Sequence, residues 1–275
     1  MDINDYLKNY KNVNIHKYPE IAEYHRYQIY EQFIGCGGLF LATKMVREMN
    51  PKKGDIVLDL GCGLGTSSIF LAKHFDVTVV AVDFWNSPQQ LVKRITQEGY
   101  LNRIVPMQLD ITREVPFDEN CFDAIFCMNS LFMFGGEVPF LQKLLKTLKP
   151  GGVFCVGSEC FNKEPNYSDK SEVPKVYNFD YNWDVWDECF SKYHSPAWWQ
   201  VLLTQTNQLD IKYCKENDDG LTMWEDIALN YYDYFSNGAI EMGAIIPLEN
   251  IIDIIEYAKK HSIHVTTFVL SAIRK

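Results

Sequence analysis

Apolar and polar positions follow two periods along this chain. Short apolar runs closed by turn residues predict buried strands, and apolar positions three and four apart predict amphipathic helices. The sharpest pattern is Asp55 to Ser68, DIVLDLGCGLGTSS. Ile56, Val57, Leu58 and Leu60 predict a central parallel strand covered on both faces. Gly61, Gly63 and Gly65 predict a tight turn with bare backbone. Thr66, Ser67 and Ser68 are cap residues for a helix over 67–74.

The same reading gives further strands at 77–82, 103–109, 124–128, 153–157, 209–214 and 265–272. Helices are predicted at 39–49, 87–98, 138–148, 196–206, 221–235 and 248–261. Pro106 pushes the third strand toward a sheet edge. Pro19 is placed to open a helix running through Phe33. Strand and helix alternate up to about residue 160, the pattern of an α/β fold with a parallel sheet. Residues 159–195 break that rhythm with prolines and many aromatics, too long a stretch for an ordinary connection. We therefore expect a lid segment at 1–36, a ligand-binding core at 37–160, and cap insertions at 161–195 and 216–247. Residues 196–215 and 248–275 complete the sheet.

Composition narrows the function. The chain has 275 residues, 47% hydrophobic and 23% charged, which is ordinary for a globular protein. Its net charge of −10 argues against a general nucleic-acid partner or an anionic membrane surface, both of which need basic patches. An aromatic content of 14% suits aromatic-lined pockets. Eight cysteines contain no C-x-x-C pair and no zinc spacing, so no metal site is expected. The polar N-terminus MDINDYLKNYKN does not resemble a signal peptide, and no apolar run has membrane-spanning length. A reduced, cytoplasmic enzyme is the expectation.

A helix start beside a glycine turn presents free N–H groups and a partial positive charge to a polar or anionic ligand. A dinucleotide fingerprint would be G-x-G-x-x-G, but here the sixth position is Thr66. Asp59, just before the turn, would repel a pyrophosphate and attract an ammonium group. Asp83 ends the second strand, 24 residues after Asp59, close to the spacing of a carboxylate that accepts from ribose hydroxyls. Phe84 or Trp85 is placed to stack on a base.

VLDLGCGLGTSS resembles the first motif of the class I S-adenosylmethionine (SAM) dependent methyltransferases, and LKPGG before the fifth strand resembles a second landmark of that family. The resemblance covers about residues 37–160. It implies a Rossmann-like fold: a seven-stranded, mainly parallel sheet with an antiparallel last strand and helices on both faces. It implies SAM as cofactor, held by Gly37, Gly38, Asp59, Gly61, Cys62, Gly63, Gly65, Thr66, Asp83, Phe84, Trp85, Asp110, Ile111 and Asn129. Gly37 and Gly38 would border the methionine end, Asp110 would accept from the adenine amine, and Ile111 would pack on the base. Asn129, at the carboxyl end of the fourth strand, would lie beside the reactive methyl.

The expected reaction is in-line methyl transfer to a small-molecule acceptor whose attacked atom (N, O, S or C) stays open. His194 in the cap region is the candidate base. Two other readings keep the cofactor: ring closure of the SAM aminobutyrate arm without methyl transfer, and a catalytically silent SAM-binding protein.

Overall fold

β1 (Ile56–Leu60) pairs in parallel with β2 (Thr78–Asp83) on one side and β4 (Phe122–Met128) on the other. The computed structural model describes residue 5 and residues 7–30, 35–134, 136–166, 193–236 and 248–275. Val57, Leu58 and Leu60 are completely buried, as a strand covered on both faces requires. β3 (Ile104–Gln108) adds to β2 as the outer strand, which is where Pro106 is tolerated. β5 (Leu148–Phe161) continues the parallel set beyond β4. β7 (Val265–Arg274) then runs antiparallel between β5 and β6 (Leu209–Glu216). The seven strands therefore lie in the order β3-β2-β1-β4-β5-β7-β6, the expected mainly parallel sheet with an antiparallel last strand.

Helices pack around this sheet. α1 is Arg26–Tyr30, α2 Gly38–Met49, α3 Thr66–Phe75, α4 Pro88–Gln97 and α5 Val138–Leu145. α6 is Pro196–Gln205, α7 Gly220–Ser236 and α8 Leu248–Lys260. α2 and α3 each end on a left-handed residue, Asn50 (φ 50°) and Asp76 (φ 55°), types that tolerate that conformation. α2 lies directly on β5 because Gly157 leaves room for it: a Cβ there would sit 2.4 Å from Met45 Sδ.

Three expectations change. Pro19 starts a single 3-10 turn, Pro19–Ile21, not a helix through Phe33; the helical stretch after it is only Arg26–Tyr30, and 31–34 lie outside the described residues. Buried Tyr18, Ile21, Ile29 and Tyr30 fix this segment to the core one side chain at a time. α5 stops at Leu145, because Leu148 is already in register with Phe122 and so belongs to β5. α7 was expected in a cap, but its Met223, Trp224, Ile227 and Ala228 are buried in the main core. Most of the first cap insertion, 167–192, lies outside the described residues, as does 237–247.

Gly157→Ala should destabilise the protein by about 1–3 kcal/mol, the usual cost of overpacking. Urea denaturation checks this, and an unchanged midpoint would show that α2 shifts freely on β5.

Candidate active site

The parallel register brings the ends of β1, β2 and β4 together: Asp59 pairs with both Ala81 and Phe126. The chain therefore leaves the sheet at one edge three times, at Gly61, Phe84 and Asn129. The glycine turn is stitched there. Gly61 N and Cys62 N both donate to Val82 O, at 2.8 and 3.0 Å. Ser130 Oγ donates to Leu60 O (3.1 Å) and lies close to Met128 O (2.7 Å), tying the β1 end to the β4 end. A Cβ on Gly61 would meet Ser130 Oγ at 2.3 Å, so this close approach demands glycine. Gly63 differs: its φ is +56° and a Cβ would meet nothing within 4 Å. Its bare backbone faces open space, where a ligand can approach. Gly65 caps α3, and Thr66 opens it, its hydroxyl held by Arg94 Nη1 at 2.6 Å.

Asp83 has the richest donor set in the crevice. Oδ1 accepts from Trp85 N (2.9 Å), Asn86 N (2.8 Å) and Asn86 Nδ2 (2.9 Å). Oδ2 accepts from Gly63 N at 3.0 Å. One carboxylate oxygen thus shapes the turn after β2. The other holds the glycine turn and keeps a second lone pair for a further donor. Phe84 and Trp85 beside it are 51% and 64% exposed and meet edge to face. Large apolar rings left open beside a crevice suit a stacking partner.

Asp59 overturns its expectation of a carboxylate open to a ligand's ammonium group. It is 1% exposed, and its Oδ2 accepts from Ser67 Oγ (2.7 Å) and Ser68 Oγ (2.6 Å). It locks β1 to the first turn of α3. Burial pushes its pKa up to about 6, against the pull of the two serines. Cys62 is buried too, its thiol pushed well up by burial, so it acts as a small core residue of the turn.

Asp110 sits in a local turn: Oδ1 accepts from Thr112 Oγ1 (2.6 Å) and Thr112 N (3.2 Å), and Oδ2 pairs with Arg113 Nε at 3.0 Å. The Thr112 hydroxyl holds its carboxyl below the usual range. Ile111 beside it is buried. Leu109 N donates to Asp83 O at 2.9 Å, so this turn adjoins the β2 end.

Asn129 is left-handed at φ 52°. Its N donates to Gly157 O at 2.8 Å, and its Nδ2 donates to Cys36 O at 2.9 Å. Its Oδ1 is buried without a partner. Gly37 (φ 88°) and Gly38 (φ 46°) follow Cys36 directly, so Asn129 lies close to the glycine pair. His194 lies just before α6. It stacks on Trp198 at 3.5 Å between ring centres, and its Nδ1 lies 2.6 Å from Glu164 Oε1, at the start of α6.

The structure adds residues that the sequence reading missed. Glu159 on β5 is buried and accepts from Cys36 N and from Tyr193 Oη, the latter at 2.6 Å. Tyr193 stacks on Phe132 at 4.7 Å. A charged residue inside the apolar run VFCVGSECF was the signal for Glu159, since such residues are rarely buried without a reason.

An open, mainly parallel sheet with a glycine turn after β1 and an acid closing β2 is the architecture of α/β folds that bind their ligand outside the carboxyl ends of the strands. Residues 57–152 match the family described as a methyltransferase domain. Over 148 residues the chain is 28% identical to phosphoethanolamine N-methyltransferase 1 of Arabidopsis thaliana, covering 54% of this chain and 30% of that protein. It is 31% identical over 121 residues to the 2-methyl-6-phytyl-1,4-hydroquinone methyltransferase of Synechocystis, covering 44% and 35%. The chain thus spans about a third of the length of these two relatives. Among solved structures, Haemonchus contortus phosphoethanolamine N-methyltransferase 2, with phosphomonomethylethanolamine and S-adenosylhomocysteine, superposes with a TM-score of 0.67 at 16% identity. That alignment covers 99% of this chain and 60% of the other, and it shows a shared fold.

The Asp59 environment sets a pH dependence. Its folded pKa lies above the ordinary aspartate value of 3.8, so its contribution to stability is full below about pH 4 and is lost as pH rises through about 6. Asp59→Asn lacks this titration. Relative to that variant, the wild type should lose roughly 3 kcal/mol between pH 4 and 7, about two pKa units at 1.36 kcal/mol each. Urea midpoints of the two proteins across that range test it; parallel profiles would contradict a buried, shifted carboxyl.

Proposed function

We propose that the chain is a SAM-dependent methyltransferase that alkylates a small-molecule acceptor by in-line displacement. The observation that carries this reading is the open face at Gly63, with Asp83 Oδ2 on one side and exposed Phe84 and Trp85 on the other. The fit follows from donor and acceptor matching. Asp83 Oδ2 accepts from the ribose hydroxyls, and one of the two exposed rings stacks on adenine. Gly61, Gly63, Gly65 and Thr66 line the nucleoside side, with Asp110 and Ile111 near the base. Gly37, Gly38 and Asn129 border the methionine end.

SAM supplies a methyl group on a sulfonium, a good leaving group, so the protein mainly aligns the reacting atoms. Asn129 Oδ1, buried and without a partner, is a hydrogen-bond acceptor for the donor edge of the bound molecules. Phe132 and Tyr193 present aromatic surface to positive charge spread between donor and acceptor. An amine acceptor must arrive unprotonated; a hydroxyl or thiol needs a base, the role assigned to His194. The relatives that act on phosphoethanolamine and on a hydroquinone make these two compounds the first acceptors to try. The described cysteines are all free, which suits the reducing cytoplasm. Among the described residues, no helix is long and apolar enough to cross a membrane.

Incubation with SAM and each acceptor should give S-adenosylhomocysteine and an acceptor heavier by one methylene unit in mass spectrometry. Methylthioadenosine from SAM alone, with no S-adenosylhomocysteine, would replace methyl transfer by ring closure. Asp83→Ala should weaken S-adenosylhomocysteine binding by about 1–3 kcal/mol as buried donors lose their acceptor; calorimetry with unchanged affinity would remove Asp83 from the site. Gly63→Ala should cost the fold only about 1–2 kcal/mol for its left-handed backbone. Its methyl group would nevertheless stand in the ligand's approach, so binding should fall much further than stability. Full-strength binding by Gly63→Ala would place the cofactor elsewhere.

A further inference from the structure

The methyl-transfer reading leaves the buried acid Glu159 without a task. Glu159 is 5% exposed near the end of β5. Side chains alternate along a strand, so Glu159 shares its face with Cys155 and Gly157. Both of those meet α2: Cys155 Sγ reaches Met45 O, and Gly157 lies under Met45. Glu159 therefore points at the start of α2, where Cys36 N–H donates to its Oε1. The positive end of that helix favours a carboxylate. Its Oε2 accepts from Tyr193 Oη at 2.6 Å. Among the described residues, no lysine or arginine pairs with it.

The Cys36 peptide is held from both sides. Glu159 takes its N–H, and Asn129 Nδ2 donates to its C=O at 2.9 Å. Gly35 fits only because it lacks a side chain, since a Cβ there would lie 2.4 Å from Asn129 Nδ2. The left-handed pair Gly37 and Gly38 hangs directly from this clamped peptide. On its other oxygen, Glu159 carries Tyr193, which stacks on Phe132 in the 3-10 turn after β4 and leads into α6.

We propose that Glu159 is a positioning residue for methyl transfer: one carboxylate fixes the glycine loop at the methionine end of SAM and, at the same time, Tyr193 on the acceptor wall. This rests on the cofactor site proposed above. Burial raises the Glu159 carboxyl above its usual range, and the two donors oppose that shift. A group so costly to bury is retained where both of its donors must be held in one place. The two halves of the site thus share a single acceptor, so displacement of Tyr193 loosens the hold on Cys36.

S-adenosylhomocysteine binding, read by calorimetry, tests the role without needing an acceptor. Glu159→Leu should weaken it by about tenfold or more, as Cys36 N–H loses a charged partner. Glu159→Gln keeps a carbonyl oxygen for Cys36 and should restore affinity to within about threefold of the wild type. Leu and Gln variants that both melt lower yet bind like the wild type would show that Glu159 only stabilises the fold. No binding by the wild type would remove the cofactor site itself; wild-type binding with an unaffected Leu variant removes only the role of Glu159. Should the Leu variant not fold, hydrogen exchange decides. Tyr193→Phe should speed exchange of the peptide carrying the Cys36 amide, and S-adenosylhomocysteine should slow it in the wild type. Unchanged exchange in both cases overturns the proposal.

Discussion

The parallel register of β1, β2, β4 and β5 is the constraint on which the rest depends. Parallel strands place every carboxyl end at one edge of the sheet, and each connection must start there. The glycine turn, the Phe84–Asn86 turn and Asn129 are neighbours for that reason, although far apart in sequence. The backbone enforces it: two successive amides of the glycine turn share the carbonyl of Val82, and Ser130 reaches back to Leu60. Slipping one strand by a residue would turn each buried face outward and break these bonds together.

Within that frame, three acids of the same chemical type do three different things, and their donors decide which. Asp59 is buried against two hydroxyls, holds its proton more tightly than a free carboxyl, and fastens strand to helix. Asp83 takes four N–H donors across both oxygens, which shape two turns. Glu159 takes one amide and one phenol from segments that are otherwise unconnected. Sequence position gives all three as acids at or near strand ends; only the donor set separates them.

Much of the fold was legible because its signals are local. A run of buried aliphatics, a glycine turn and a capped helix each obey a short-range rule, and all seven strands lie where apolar patterning put them. Pro106 correctly marked an outer strand. The failures are long-range. Nothing local distinguishes a helix through Phe33 from the broken segment observed, because that segment is held by distant partners: Asp226 on α7 accepts from Val13 N, Arg26 and Tyr30 Oη. Asp59 was misjudged for the same reason. Its position beside the turn is local, whereas its orientation depends on where α3 lays Ser67 and Ser68. Glu159 was visible as an acid in an apolar run, but its partners come from the two flanks of the core.

Those same long-range contacts bear on how the acceptor side is built. The core strands carry the residues proposed to meet the nucleoside, and they are close in sequence or joined by the sheet. The proposed other wall is assembled from Cys36, Phe132, Tyr193 and the start of α6, brought together by side chains far apart in sequence. Such a wall can change composition without disturbing the strands beneath it, since its links are single hydrogen bonds and ring contacts, not ladders. Glu159 is where the two kinds of construction meet: its backbone is fixed in the β5–β7 ladder against Thr267, while its carboxylate reaches out to both flanking segments. A rigid strand thereby sets the geometry of an otherwise loosely joined segment, and alignment for the proposed methyl transfer needs that rigidity more than it needs any further reactive group.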